Sequence, residues 1–444
     1  MEKPPERRLG EFVAGLEYGD LPPGAADTVV RAVVDTVGVT LAGTTADAGR
    51  RAAAAAGVDP DAAGPGRLLG VDGADRPEAA ALRVGTAAHA LDYDDLSWAM
   101  DGHPSVALLP GLLALAPESA PSGRELVTAY AAGFETACAV AGPVSPDHYE
   151  AGWHATATFG TFGAAAAAAR LLGLDAETTT RALTVAASMP AGLKRNFGSM
   201  TKPLHAGLCA RSGVTAARLA REGLTADDRA VTGDRGFWDL YGPGAAPAAL
   251  TVGNPWRLRE EGIHVKAYPC CYFTHSAIAA AEGVDADPAA VESVAVTASQ
   301  GAADALHHRD PETGLEAKFS MEYAVASGLV RERVGLDTFR TGAIDDPAVQ
   351  RVRERVDFAV DESMAYDSHG ATVRVETEDG VHERARADPP GTHGDPLSEE
   401  RFRAKFEECA GAVLDGGRAA GLYDTLSALP ELEDVGDALA VGPE

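Results

Sequence analysis

Apolar residues recur at helical spacing through the first half of the chain. Between Ala26 and Gly43 the residues Val29, Val30, Val33, Val34, Val37 and Leu41 form one stripe, and Gly43 supplies a natural stop. The same pattern predicts helices at 79–93, 105–116, 124–141, 155–172, 177–188 and 205–222, joined by short segments bearing Gly, Pro or Asp. Most are rich in Ala, whose small side chain lets helix axes approach closely, so the first half is expected to be an all-helical bundle. After Pro255 the pattern changes to alternation. ESVAVTAS at 292–299 and VDFAVDE at 356–362 read as strands, and ATVRVET followed by VHERARA reads as strand, turn, strand around Asp379-Gly380. Helical segments at 272–284 and 318–331 intervene, which makes this part α+β, spanning 264–396 up to the break at Pro389-Pro390-Gly391. Beyond it Ser398 opens SEER, a sequence suited to capping, and a helical tail is expected through Leu414.

A chain of 444 residues exceeds what one hydrophobic core usually serves, so two domains are expected. Acidic residues outnumber basic ones 66 to 38, for a formal charge of −28. A polyanion of that size repels phosphate backbones and anionic lipid, which argues against nucleic acid or a membrane as partner. The acids are scattered and Lys is scarce, the pattern of a solvated acidic surface such as proteins in concentrated salt carry. The five cysteines, at 138, 209, 270, 271 and 409, form no CxxC pair, so zinc ribbons and disulfide scaffolds are disfavoured and a reducing cytoplasm is expected. The charged N-terminal stretch is no signal peptide, and the Ala164–Ala169 run is bounded too closely by Gly163 and Arg170 to span a bilayer.

Four stretches place reactive side chains beside small-residue helical sequence: HALDYDDLSWAMDGHPS at 89–105, GWHATATFG at 152–160, MTKPLHAG at 200–207 and VKAYPCCYFTH at 265–275. Together they offer the imidazoles of His103 and His154, the ammonium groups of Lys202 and Lys266, and the carboxylates of Asp92, Asp94 and Asp95. Proton transfer on a small anionic acid needs that set. His89, Asp92, Asp94, Asp95 and His103 could also be imagined around a divalent cation, but none has HExxH or EF-hand spacing. The chain also lacks a P-loop, a GxGxxG fingerprint, a GxSxG elbow and an iron–sulfur cysteine set.

In order and spacing these stretches resemble the MmgE/PrpD family, which includes 2-methylcitrate dehydratase and cis-aconitate decarboxylase. Supporting blocks are VVDTVGVTLAG at 33–43, AAAAAARLLGLD at 164–175, GVTAARLAREGLT at 213–225, KFSMEYAVASGLV at 318–330 and DPPGTHGDPLSEERFRAKF at 388–406. The resemblance implies a mainly α protein. A large helical domain, residues 1–263 with the tail 397–444 packed back on it, would carry a smaller inserted α+β domain, 264–396, and the protein would be a homodimer. It implies a cofactor-independent lyase acting on a small di- or tricarboxylic acid, first of all a dehydratase of the 2-methylcitrate type. The alternatives are a cis-aconitate-type decarboxylase, a dicarboxylate epimerase, or a catalytically silent acid-binding homologue.

Carried onto this sequence, the resemblance makes His103, His154 and Lys202 the proton-handling groups and Asp92 an orienting carboxylate. Lys266, His275 and Tyr323 are expected around the substrate, with Arg195 a further anion contact. Asp94 and Asp95 are expected as hydrogen-bonding and helix-end residues, and His205 as packing. Two positions depart from the family pattern: Leu96 stands where a Thr is common, leaving Ser97 to substitute in a shifted register, and Cys271 stands where an Arg or His is often found.

Overall fold

Among the described residues eight helices of 11 or more residues build the first half: Pro5–Gly15, Ala25–Gly43, Pro77–Ala88, Pro104–Ser119, Gly123–Ala141, Ala155–Leu171, Ala176–Ala186 and Thr201–Arg221. The computed structural model describes residues 4–242, 244–246 and 249–440. Helix Ala155–Leu171 is buried on every side from Ala155 to Ala169, as an apolar, Ala-rich sequence without a polar face must be. It packs against Gly123–Ala141, Pro104–Ser119 and Thr201–Arg221. Helices Pro77–Ala88 and Thr201–Arg221 cross almost backbone to backbone, because a Cβ on Gly85 would stand 2.8 Å from the Gly207 Cα. That crossing brings the start of one helix beside the end of the other.

Of the helix boundaries that differ from the sequence pattern, three shape the site. The helix expected over 79–93 stops at Ala88. The carbonyls of Leu91 and Asp92 accept hydrogen bonds from the buried ammonium groups of Lys318 and Lys266, and Asp92 turns left-handed at φ 53°, so the chain leaves the helix as a tight turn. The helix expected from 205 begins at Thr201, placing Lys202 in its first turn. The helix expected from 105 begins at Pro104, whose fixed φ suits a first helical position, and His103 becomes its N-cap.

In the second half a four-stranded sheet runs in the order β2-β1-β3-β4, with β1 Val291–Ala298, β2 Val356–Val360, β3 Ala371–Thr377 and β4 Gly380–Arg386. β1 and β2 are parallel, with Val296 opposite Phe358; β1 and β3 are antiparallel, with Val296 opposite Val373. The hairpin falls one residue earlier than expected: Thr377 pairs with Gly380, so Glu378 and Asp379 form the loop and Gly380, at φ 144°, opens β4. Helix His275–Glu282 covers β3 and β4, and helix Met321–Val330 packs against it. The protein is mainly α with a small α+β part.

The Ser398 hydroxyl accepts from the Arg401 N–H and caps helix Glu399–Ala410, which ends short of Leu414; Asp415 then caps a further helix, Gly416–Ser427. The first of these lies on Ala25–Gly43, burying Phe402 and Phe406. The Lys405 ammonium is 2.6 Å from Asp35 Oδ1, with both side chains buried, and donates to the Tyr93 carbonyl at 2.8 Å. The tail therefore reaches the tight turn that follows Pro77–Ala88. Among the described residues no single helix is long and apolar enough to cross a membrane.

Candidate active site

The turn after Ala88 gathers two histidines on one carboxylate. His89 Nδ1 lies 2.8 Å from Asp94 Oδ2, and His103 Nδ1 lies 2.9 Å from the same oxygen and 2.7 Å from the Asp95 carbonyl. Burial, opposed by Asp94, pushes the His89 imidazole down to about 4, while the two imidazoles beside Asp94 outweigh its own burial and hold its carboxyl well below the usual range. His89 is thus neutral at pH 7, and its Nδ1–H donates to an ionised Asp94. Every acceptor around His103 Nδ1 is an oxygen, so its proton sits on Nδ1 and Nε2 is left with the lone pair. Of the pair, His103 is the one that reaches open space, with its side chain 14% exposed against 0% for His89.

Asp95 serves the helix end. Its carboxyl accepts from the Ser105 N–H at 3.2 Å and from the Ser105 hydroxyl, which also meets the Tyr130 hydroxyl at 2.5 Å. Burial pushes its affinity for a proton well above the usual carboxylate range.

Opposite the histidines, Asp92 Oδ1 is shared by two ammonium groups, Lys202 at 2.5 Å and Lys266 at 3.1 Å. Burial works against the Asp92 charge, but the two lysines outweigh it and hold the carboxyl well below its usual range. Its second oxygen, Oδ2, is buried without a hydrogen-bond partner. Lys318 lies just behind, donating to the Leu91 and Pro269 carbonyls; burial lowers its ammonium to about 8.

His154 caps helix Ala155–Leu171, and its Nδ1 is 3.0 Å from His205 Nδ1, so one of the two rings donates and the other accepts. The His154 ring stacks on His89 with centroids 5.7 Å apart. Burial, reinforced by His89 and Lys202, drives its imidazole well below its usual value, and it is neutral. The His103 N–H donates to Thr156 Oγ1 at 3.0 Å, so two long helices start side by side with their positive ends at one place.

A cavity of about 460 Å³ opens over this cluster. Asp92, His103, His154, Lys202 and Lys266 all line it, drawn from three parts of the helical half and from the strandless segment before helix His275–Glu282. Ser97 and Leu96 reach its wall as well, but the Ser97 hydroxyl donates to the Gly262 carbonyl at 2.8 Å and does not stand in for the missing threonine hydroxyl. Cys271 also faces the cavity.

Three expected residues stand off it. The Tyr323 hydroxyl donates to the Thr338 carbonyl at 2.6 Å inside the second half. His275 is buried between Tyr268 and Tyr272, its Nε2 against the Cys270 carbonyl. Arg195 is exposed on the 3₁₀ turn Lys194–Asn196. Each of the three sits near the site in sequence or in a family block, but the local turn aims it elsewhere. Asp94, expected to hydrogen-bond, does so to both imidazoles at the centre, whereas sequence reasoning missed the roles of His89 and Lys318 there and missed Asp101 on the cavity wall, where burial raises its carboxyl to about 6.

Comparison with known proteins fits this arrangement. The MmgE/PrpD N-terminal domain model matches residues 7–249 and the MmgE/PrpD C-terminal domain model matches residues 268–425. A cis-aconitate decarboxylase of Mus musculus is 28% identical, covering 81% of this chain and 77% of its own length. The human cis-aconitate decarboxylase is 27% identical over 95% of this chain and 91% of its own. A cis-aconitate decarboxylase-like protein of Aspergillus oryzae is 27% identical over 98% and 96%.

Proposed function

The chain belongs to the MmgE/PrpD family, and on that premise we propose that it is a lyase that generates and protonates a carbanion next to a carboxylate in a small organic acid. The observation that carries this reading is the meeting of His103, His154, Lys202 and Lys266 at one end of a single cavity. Lys202 and Lys266 receive a substrate carboxylate beside Asp92, and the charge that develops on that carboxylate as an enolate forms is met by the same ammonium groups. The free Nε2 of His103 takes or returns a proton at the adjacent carbon, with Asp94 stabilising the imidazolium in passing.

Decarboxylation is the finer reading we favour, since the relatives named above are cis-aconitate decarboxylases or decarboxylase-like. In it the C–C bond to a second carboxylate breaks, CO₂ leaves, the electron pair stays on the carbon as the enolate, and His103, having taken a proton from solvent at Nε2 with Asp94 stabilising the imidazolium, delivers it to that carbon. Dehydration of a 2-methylcitrate-like acid is supported by the presence of two imidazoles at the same cavity. The free Nε2 of His103 removes the carbon-bound proton and, as an imidazolium beside Asp94, returns it to the departing hydroxide, which leaves as water, with the neutral His154 lining the cavity beside it. NMR of the purified protein with cis-aconitate, 2-methylcitrate or iminodisuccinate in D₂O distinguishes these by product and by the carbon that takes up deuterium. Absence of both turnover and exchange with every acid, in protein that binds them, would make the chain a silent acid-binding homologue.

A further inference from the structure

The cavity changes character from its deep end to its mouth. At the deep end the ammonium groups of Lys202 and Lys266 face the ionised carboxylate of Asp92, which leaves a single net positive charge among these lining groups. The wall beyond mixes the apolar Leu96, Phe197 and Phe319 with hydroxyls largely committed elsewhere: Ser97 donates to the Gly262 carbonyl, Ser145 to Asp101 and Tyr366 to Asp304, while the Tyr272 hydroxyl is buried without a partner. The exposed Asp367 and Asp388 mark the mouth, Asp101 stands on the same wall with its carboxyl mostly buried and held by the Ser145 hydroxyl, and among the described residues no arginine lines any part of the cavity. Lys194, the cation nearest Asp101, is turned away, its ammonium 3.6 Å from the Tyr149 ring centroid and donating to the Tyr149 carbonyl. His369, also on the wall, is lowered by burial to about 4 and adds no charge at neutral pH.

From this division we infer that the cavity selects acids with at most two carboxylates, one anchored by Lys202 and Lys266, and that Asp101, Asp367 and Asp388 discriminate against a third. The inference rests on the reading of the cavity as an acid-binding site, and within that reading it favours an unsaturated or hydroxylated dicarboxylic acid over the tricarboxylic cis-aconitate and 2-methylcitrate. A second carboxylate can be met along this wall by the unpartnered Tyr272 hydroxyl, and because decarboxylation removes its charge as CO₂, the lack of a cation for it does not oppose the reaction. A third carboxylate would lie against the mouth acids and keep its charge throughout. Even at solvent-like dielectric, one such pair about 4 Å apart costs about 1 kcal/mol, and several times that where water is partly excluded.

The test is calorimetric titration at one fixed ionic strength with unreactive acids of rising charge: butyrate, methylsuccinate and tricarballylate. Methylsuccinate is expected to bind at least about tenfold more tightly than tricarballylate. In the triple variant Asp101→Asn, Asp367→Asn, Asp388→Asn, that preference is expected to shrink at least about fivefold. An equal charge change at the distant, exposed Asp228, Asp285 and Glu354, each replaced by its amide, should leave the preference unchanged and so separates local from global charge. Tricarballylate binding as tightly as methylsuccinate in the native protein overturns the inference while leaving the acid-binding site in place, and so does a preference that follows the distant triple as much as the mouth triple. Failure of every acid to bind, or binding unchanged in Lys202→Met, overturns the proposed function itself and this inference with it.

Discussion

Asp94 accepts from two imidazoles at once, and that single carboxylate decides which nitrogen of His103 is free. Replacing it with Asn keeps the size but offers an amide N–H₂ to nitrogens that already carry protons, so one ring must flip or change tautomer. Asp94→Asn is therefore expected to lower kcat about a hundredfold with KM changed only a few-fold, and to shift the pH profile of kcat; a loss confined to KM would show that Asp94 only shapes the pocket. Asp101 gives a second prediction, in stability. Burial, reinforced by Asp367 and Glu150 and opposed by Ser145 and Lys194, raises its folded carboxyl to about 6, so the native state holds the proton more tightly than the unfolded chain does. Stability from this group is present at low pH and is lost as pH rises from about 4 to about 6. Asp101→Asn should accordingly raise Tm above pH 6.5, with the gain vanishing near pH 3.5; a gain equal at both pH values rejects the assignment. At this scale the sequence carried a strong signal in lysine usage. Only six lysines occur in the chain, and Lys202, Lys266, Lys318 and Lys405 are all buried. Where Arg serves the surface, a retained Lys marks a place that needs a compact, strongly hydrated point charge. Lys318 was overlooked because it lies within a block that otherwise looks like core. That Asp94 hydrogen-bonds is legible in the sequence, but not that its partners are two imidazoles, because spacing shows which residues are neighbours and not that the helix before them stops at Ala88.

The elements that frame the site were largely legible, and their ends were not. Helical spacing located the bundle because burial dictates it, whereas the boundaries at Ala88, Thr201 and Pro104 depend on tertiary partners such as Lys266 and Lys318 donating to carbonyls of the turn. The return of the tail onto the helical half was implied only by family resemblance, since periodicity reports a buried face without saying what covers it. In the structure, helix Glu399–Ala410 connects Ala25–Gly43 to the site turn through Lys405, which contacts both Asp35 and the Tyr93 carbonyl. Lys405→Met leaves the Asp35 carboxyl buried without its cation, in a place where burial already raises its proton affinity. Urea denaturation should register a loss of about 3–5 kcal/mol. The double variant Asp35→Leu, Lys405→Met should recover most of that loss. If the single substitution costs less than about 1 kcal/mol, the pair does not hold the tail, and the placement of Tyr93 between Asp92 and Asp94 depends on its ring packing instead.

Across the whole molecule the dominant fact is a charge of −28 on a protein whose cavity holds cations at its deep end. Self-repulsion of that size works against the compact state, and the same field opposes the approach of an anionic acid. Both effects act over distances that salt screens: the Debye length is about 10 Å at 0.1 M and about 3 Å at 1 M. The contacts inside the site, 2.5–3.1 Å between buried groups, lie within that length and are screened far less. Raising KCl from 0.05 to 1 M is therefore expected to raise Tm by at least about 5 °C, with sucrose at equal osmolality producing a smaller change. It should also raise kcat/KM for a dicarboxylate while leaving kcat nearly constant, the reverse of what an attractive field would give. Scanning calorimetry and initial rates across the same salt series check the two together. A Tm that is flat or falls with KCl would mean that the acidic surface is already neutralised by its arginine pairs, and a kcat/KM that falls with KCl would mean that the cations of the deep end, not the net charge, govern the approach of substrate.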